Sequence, residues 1–161
     1  GSAGSSGAAG AAGTNGAVAG LSATGTTTTI PSGSNTDTFA TVVSKSLPPG
    51  HFIVSGQADL TAQTSALPAF PGVEDECALF AAASNLASAE SANAIAEYHF
   101  TTNEFLETSV VSVQAPVDLA TTTTLSLQCE LLLPLSGDQA TGFANTSTGA
   151  SLTAVQTSGN S

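Results

Sequence analysis

Residues 51–63 read His51-Phe52-Ile53-Val54-Ser55-Gly56-Gln57-Ala58-Asp59-Leu60-Thr61-Ala62-Gln63, and their pattern decides the fold class. Phe52, Val54, Ala58, Leu60 and Ala62 share one parity, with Gly56 among them; Ser55, Gln57, Asp59, Thr61 and Gln63 share the other, which Ile53 breaks. Alternation with period two is what a strand needs when one face packs on a core and the other meets water. Pro48-Pro49-Gly50, immediately upstream, is a turn that a helix could not tolerate.

The stretch 124–133 repeats the pattern. Leu125, Leu127, Cys129, Leu131 and Leu133 face one way and Thr124, Ser126, Gln128 and Glu130 the other, so Cys129 points inward. Around 77–83, Cys77, Leu79, Ala81 and Ala83 share a parity, so Cys77 can also face inward. Further strands are expected at 38–46, 95–100, 105–120 with an interruption near Pro116, and 150–157; the stretch 81–96 reads as a short helix or a long loop. Strands of this number, spaced by turn signals, predict an all-β, antiparallel jelly-roll-like β-sandwich rather than a parallel sheet.

Upstream of the sandwich the composition changes. Glycine falls at Gly1, Gly4, Gly7, Gly10, Gly13 and Gly16 without a break, the period of a collagen helix, yet these triplets hold no proline. A collagen-like stalk and a flexible Gly/Ser/Ala linker both fit. The expected organisation is a Gly-rich extended segment and Thr-rich neck over 1–29, then a head domain over 30–161.

Charge narrows the partners. Twelve carboxylates against the single Lys45 and no Arg give a formal net charge of −11. Nucleic-acid binding and attachment to anionic lipid both draw on Lys and Arg, so neither is expected. No apolar run approaches the roughly 18 residues of a membrane span, so no membrane insertion is expected. Charged residues make up only 8% of the chain, and Ser, Thr, Ala, Gly and Asn take their place, a composition expected of a secreted or surface-exposed protein. The sequence opens at Gly1 without Met or a basic-plus-apolar leader, as expected of a processed product or a fragment whose export signal is gone.

Cys77 and Cys129 are too few for a disulfide-stapled miniprotein and lack metal-ligand spacing. A single disulfide is the simplest reading, and two buried free thiols the alternative. No cofactor is expected, with one candidate ion site. Glu74-Asp75-Glu76 clusters hard oxygen ligands of the kind that suit Ca²⁺, and a solvated loop of charges is the plainer reading. Asn145-Thr146-Ser147 fits the N-glycosylation pattern. His51 and His99 are the only histidines, and neither sits in a recognisable catalytic spacing; no glycine-flanked nucleophilic serine or phosphate-cradling glycine loop is present. No enzymatic activity is expected.

Taken together, the glycine triplets, the Thr-rich neck, the opening Leu47-Pro48-Pro49-Gly50-His51-Phe52-Ile53-Val54, the strand Thr124-Leu125-Ser126-Leu127-Gln128-Cys129 and the closing Ala150-Ser151-Leu152-Thr153-Ala154-Val155 resemble bacterial collagen-like surface proteins. In those proteins a stalk ends in a jelly-roll head; the plan is similar to exosporium glycoproteins and, more distantly, to complement and tumour-necrosis-factor-like heads. The resemblance implies a homotrimer that works through self-assembly outside a cell, spore or virion. A second reading is a pilus-like filament built by N-terminal strand addition. A third is a lectin-like module for a carbohydrate or host-surface ligand, for which aromatic platforms are scarce: the chain has no Trp, one Tyr and seven Phe.

Overall fold

The alternation of 51–63 is realised in a strand of fifteen residues, Gly50–Thr64. Phe52, Val54, Gly56, Ala58, Leu60 and Ala62 are buried, and the positions of the other parity are partly or fully exposed. The structure, a computed structural model, describes residues 21–30, 39–64, 72–82, 84–85, 93–99, 106–132 and 143–157. In chain order these form β1 (Leu21–Gly25), β2 (Thr28–Ile30), β3 (Ala40–Leu47), β4 (Gly50–Thr64), β5 (Gly72–Ala81), β6 (Ser84–Asn85), β7 (Asn93–His99), β8 (Leu106–Leu119), β9 (Thr123–Leu132) and β10 (Phe143–Thr157).

Every pairing is antiparallel. The first sheet runs β1-β10-β4-β8, with β2 continuing β1 along β10; the second runs β3-β9-β5, with β7 and β6 sharing the far side of β5. Counting β1 with β2 and β6 with β7 leaves eight strand positions, which pair first with eighth, second with seventh, third with sixth and fourth with fifth. That is one long hairpin of strands. Folding it over adds β10·β4 and β9·β5 and splits it into two sheets of four. The result is a jelly roll, as the alternation predicts.

The core lies between the sheets, with Phe52, Val54 and Leu60 of the first against Leu79, Leu125 and Leu127 of the second. Packing over Gly56 is tight: a Cβ there would sit 3.2–3.3 Å from side-chain atoms of Val113, Leu127 and Leu79. The turn before β4 relies on Gly50, whose φ of 148° is closed to ordinary side chains.

Three expectations are corrected. Residues 21–29 are not a neck, because β1 and β2 pair with β10 and complete the first sheet, so these residues belong to the head domain. Pro116 does not interrupt β8, which runs unbroken as the outermost strand of its sheet, where a missing N–H costs no ladder bond. The stretch 81–96 contributes β6 and the start of β7, and no helix is present among the described residues. The stalk glycines Gly1, Gly4, Gly7, Gly10, Gly13 and Gly16 lie outside the described residues, and so does Leu133.

One residue stands out by its backbone. Ala82, which follows β5 and donates its N–H to Thr124 O at 2.9 Å, has φ of 53°. This left-handed conformation costs an alanine about 1–2 kcal/mol, and glycine returns part of the gain through its looser unfolded state. Ala82→Gly is therefore expected to raise the unfolding free energy by about 0.5–1 kcal/mol in urea denaturation.

Candidate functional site

The two sheets treat their outer faces differently. On the second, the outward-facing Ala78, Phe80, Ser126 and Glu130 are all buried, at 0%, 9%, 5% and 7% exposure, and Phe39 packs edge-on against Phe80 with ring centroids 5.1 Å apart. On the first, the outward positions of β8 from Leu106 to Asp118 are all exposed. A surface for binding is therefore carried by the first sheet.

Register arranges that face into cross-strand rows. Ser22, Thr153, Ser55 and Gln114 form one row across β1, β10, β4 and β8. Thr24, Ser151, Gln57 and Ser112 form the next. Neighbours are about 5 Å apart across the strands and about 7 Å apart along them. The centre of this array is a depression of about 530 Å³, floored by the backbone of Gly56 and Val113 and lined by Ser55, Gln57, Ser112, Gln114, Ser151 and Thr153. None of the lining side chains is ionisable. Among the described residues, Gln114 Nε2 donating to Ser55 Oγ at 3.0 Å is the side-chain hydrogen bond within the array.

The flanking rows differ in kind. On one side Val155, Ile53 and Pro116 make an apolar row, Val155 being 52% exposed. Beyond it, in the row shared with Thr157, His51 Nδ1 lies 2.5 Å from Asp118 Oδ1, with both side chains well exposed. On the other side of the array comes Gly149, Asp59 and Val110, then Thr146, Thr61 and Thr108.

The residues singled out from the sequence fare unequally. Cys77 and Cys129 are brought together: they oppose each other in the β5·β9 register, both fully buried, and form a disulfide with a Cα–Cα distance of 4.1 Å. The bridge lies within the second sheet rather than across the sandwich. Glu74, Asp75 and Glu76 are not in a loop but in β5, and strand alternation divides them: Asp75 is fully buried on the inward side, while Glu74 and Glu76 lie on the other face. Three carboxylates on opposite faces of a strand cannot converge on one Ca²⁺. Among the described residues no group of three His, Cys, Asp or Glu is placed to hold a metal.

The sequon at Asn145 falls in a strand rather than in a loop. It lies in β10 with β2 on one side and β4 on the other, and its Ser147 is fully buried, donating to Gly149 O at 3.2 Å. A sugar acceptor needs an accessible, unpaired backbone. His51 and His99 are not brought together, since β4 belongs to the first sheet and β7 to the second.

Sequence reasoning did not single out the array. Ser55 and Gln57 were legible as the wet parity of a strand, Ser22 and Thr24 fell in the expected neck, and it is the pairing order β1-β10-β4-β8 that assembles the array. The one signal available was that outward positions 55, 57, 112, 114, 151 and 153 are all uncharged hydrogen-bonding residues.

No family model and no curated protein matches the sequence. Among solved structures, the fold is similar to a chain of the T13 IBDV viral particle, with a TM-score of 0.49 and 10% identity over 85% of this chain and 31% of that one. It is also similar to a chain of the infectious bursal disease virus Gx strain, with a TM-score of 0.45 and 13% identity over 88% of this chain and 33% of that one. The chain thus spans about a third of the length of the viral chains it is similar to. At these identities the likeness is one of fold.

Proposed function

We propose that this protein is a non-enzymatic structural or adhesive subunit that assembles with copies of itself, three around an axis, and displays its jelly roll outside a cell, spore or virion. The observation that carries this reading is an uncharged strip on the edge strand β8. Its outward residues from Leu106 to Val110 are all neutral, and Leu106 and Val110 are 55% and 59% exposed. Ile95, 52% exposed, lies on β7, which packs beside β8.

Two copies that each carry a net charge of −11 repel unless they meet where charge is absent. A long edge strand with apolar outward residues is also a ready template for another chain. Glycine triplets upstream of Leu21 suit a tether, and a flat, hydroxyl-rich surface suits exposure to water outside a cell. Neither feature needs turnover of a substrate.

The pair Leu106→Asp/Val110→Asp tests the reading, because like charges facing across an interface cost several kcal/mol, about a hundredfold or more in association. Native mass spectrometry is expected to show a trimer for the wild type and monomer for the variant at the same concentration. A wild-type chain that stays monomeric at micromolar concentration would rule the proposal out.

The edge position of β1 and β2 favours a second reading. These strands pair with β10 on one side, and a neighbour's residues 21–30 could occupy the same place in a filament. That arrangement predicts a ladder of polymers in the same measurement instead of one closed species.

A further inference from the structure

We infer that the depression on the first sheet binds an uncharged, polyhydroxylated ligand, a neutral glycan. Its lining offers hydroxyls from Ser55, Ser112, Ser151 and Thr153 and carboxamides from Gln57 and Gln114. Each of these groups both donates and accepts hydrogen bonds, and none is charged. A sugar presents the same mixture of donors and acceptors.

Other ligand classes fit less well. An anionic ligand finds no cation among the lining residues, and the chain's one lysine, Lys45, lies on β3 of the second sheet. A cation finds no carboxylate among the lining residues. An apolar ligand would strip water from the hydroxyls without replacing its hydrogen bonds, at a cost of about 1–3 kcal/mol for each group left unsatisfied.

The neighbouring rows support the assignment. Val155, Ile53 and Pro116 border the array with an apolar ledge against which the C–H face of a sugar ring can pack. The two hydroxyl-rich rows extend over β1 through Ser22 and Thr24, so the array is longer than one sugar and suits an oligosaccharide. No aromatic side chain lines the depression, so each site binds weakly, and an assembly of several copies raises the effective affinity through multivalency.

The site lies within one chain, so it stands or falls separately from self-assembly. The test is nitrogen-15 chemical-shift mapping of the whole chain against linear glucose, mannose and xylose hexaoses, with a sulfated and a sialylated oligosaccharide as charged probes. Saturable shifts are expected with at least one neutral hexaose, centred on Ser55, Gln57, Ser112, Gln114, Ser151 and Thr153. Gln57→Ala/Gln114→Ala is expected to weaken that binding about tenfold, as loss of two modest hydrogen bonds should. Thr61→Ala/Thr146→Ala, on the same face outside the depression, is expected to leave it unchanged.

Both pairs should keep the wild-type oligomeric mass, whereas Leu106→Asp/Val110→Asp should lose the oligomer and keep the shifts. The inference is overturned if no neutral hexaose gives saturable shifts at millimolar concentration, if the shifts centre elsewhere, or if the charged probes bind better.

Discussion

Replacing Cys77 and Cys129 together with alanine is expected to lower the unfolding free energy by about 4 kcal/mol. The bridge closes a loop of sequence separation 52, which contains β6, β7 and β8. A cross-link of that span removes loop-closure entropy from the unfolded chain, and the loss of sulfur from a fully buried site adds a small cavity term to the variant. For a domain of this size the melting temperature should fall by about 8–16 °C. Because both sulfurs are buried, a reductant added to the folded protein should leave the bond intact. Reductant added during urea unfolding should bring the wild type close to the double variant. A loss under about 1 kcal/mol would show that the β5·β9 ladder alone constrains the chain, and that the unfolded-state account of the bridge fails here.

The consequence for function lies in where the bridge sits. It fastens the two central strands of the second sheet, where Ala78, Phe80, Ser126 and Glu130 of the outer face are buried, and leaves the first sheet, with its open array, without a covalent tie. The covalent constraint therefore falls on the second sheet, and the first sheet, which carries the array, depends on its ladders and core packing alone.

What could be read from the sequence follows from how far a two-residue period reaches. The strands β4 and β9 were legible because apolar residues alternate with polar ones over most of their length, Ile53 and Leu132 being the exceptions. The first half of β10 was not. A register shift between Ser147 and Gly149 inserts Thr148, so the inward parity changes from Ser147 to Leu152 and Ala154, and the period disappears from the string of residues. The strand β1 does alternate, with Ser22 and Thr24 outward, but its inward residues are Leu21, Ala23 and Gly25, too small to stand out from a linker. The acidic triplet misled for a related reason: three adjacent carboxylates look like a cluster on paper, and a strand turns alternate members in opposite directions. The array of neutral side chains needed the strand order itself, which no local pattern encodes, whereas the disulfide needed only that both cysteines point inward.

Gly25→Ala is expected to be among the most damaging single substitutions in the chain, costing about 3 kcal/mol or more. Gly25 ends β1 in register with Ala150, and a Cβ there would lie 2.0 Å from the carbonyl oxygen of Val42 and 3.2 Å from Ala150 Cβ. Val42 sits at the register shift of β3, between Thr41 and Val43, so this is the point where an edge of the first sheet touches an edge of the second. The obstacle is backbone, on a strand tied by its ladder to β9, and cannot turn away as a flexible side chain would. The least costly response is release of β1. Amides of residues 21–25 should then lose hydrogen-exchange protection while those of β4 and β9 keep theirs. Ser22→Ala, on the exposed face of the same strand, should change stability by no more than about 0.5 kcal/mol. Release of β1 would uncover the side of β10 with which it pairs, an unpaired strand edge that invites a neighbour's segment. A Gly25→Ala protein that forms polymers where the wild type forms a closed species would show that in-chain pairing of β1 decides between the two modes of assembly. A variant that keeps wild-type melting and exchange would mean that the two sheet edges do not meet at this glycine.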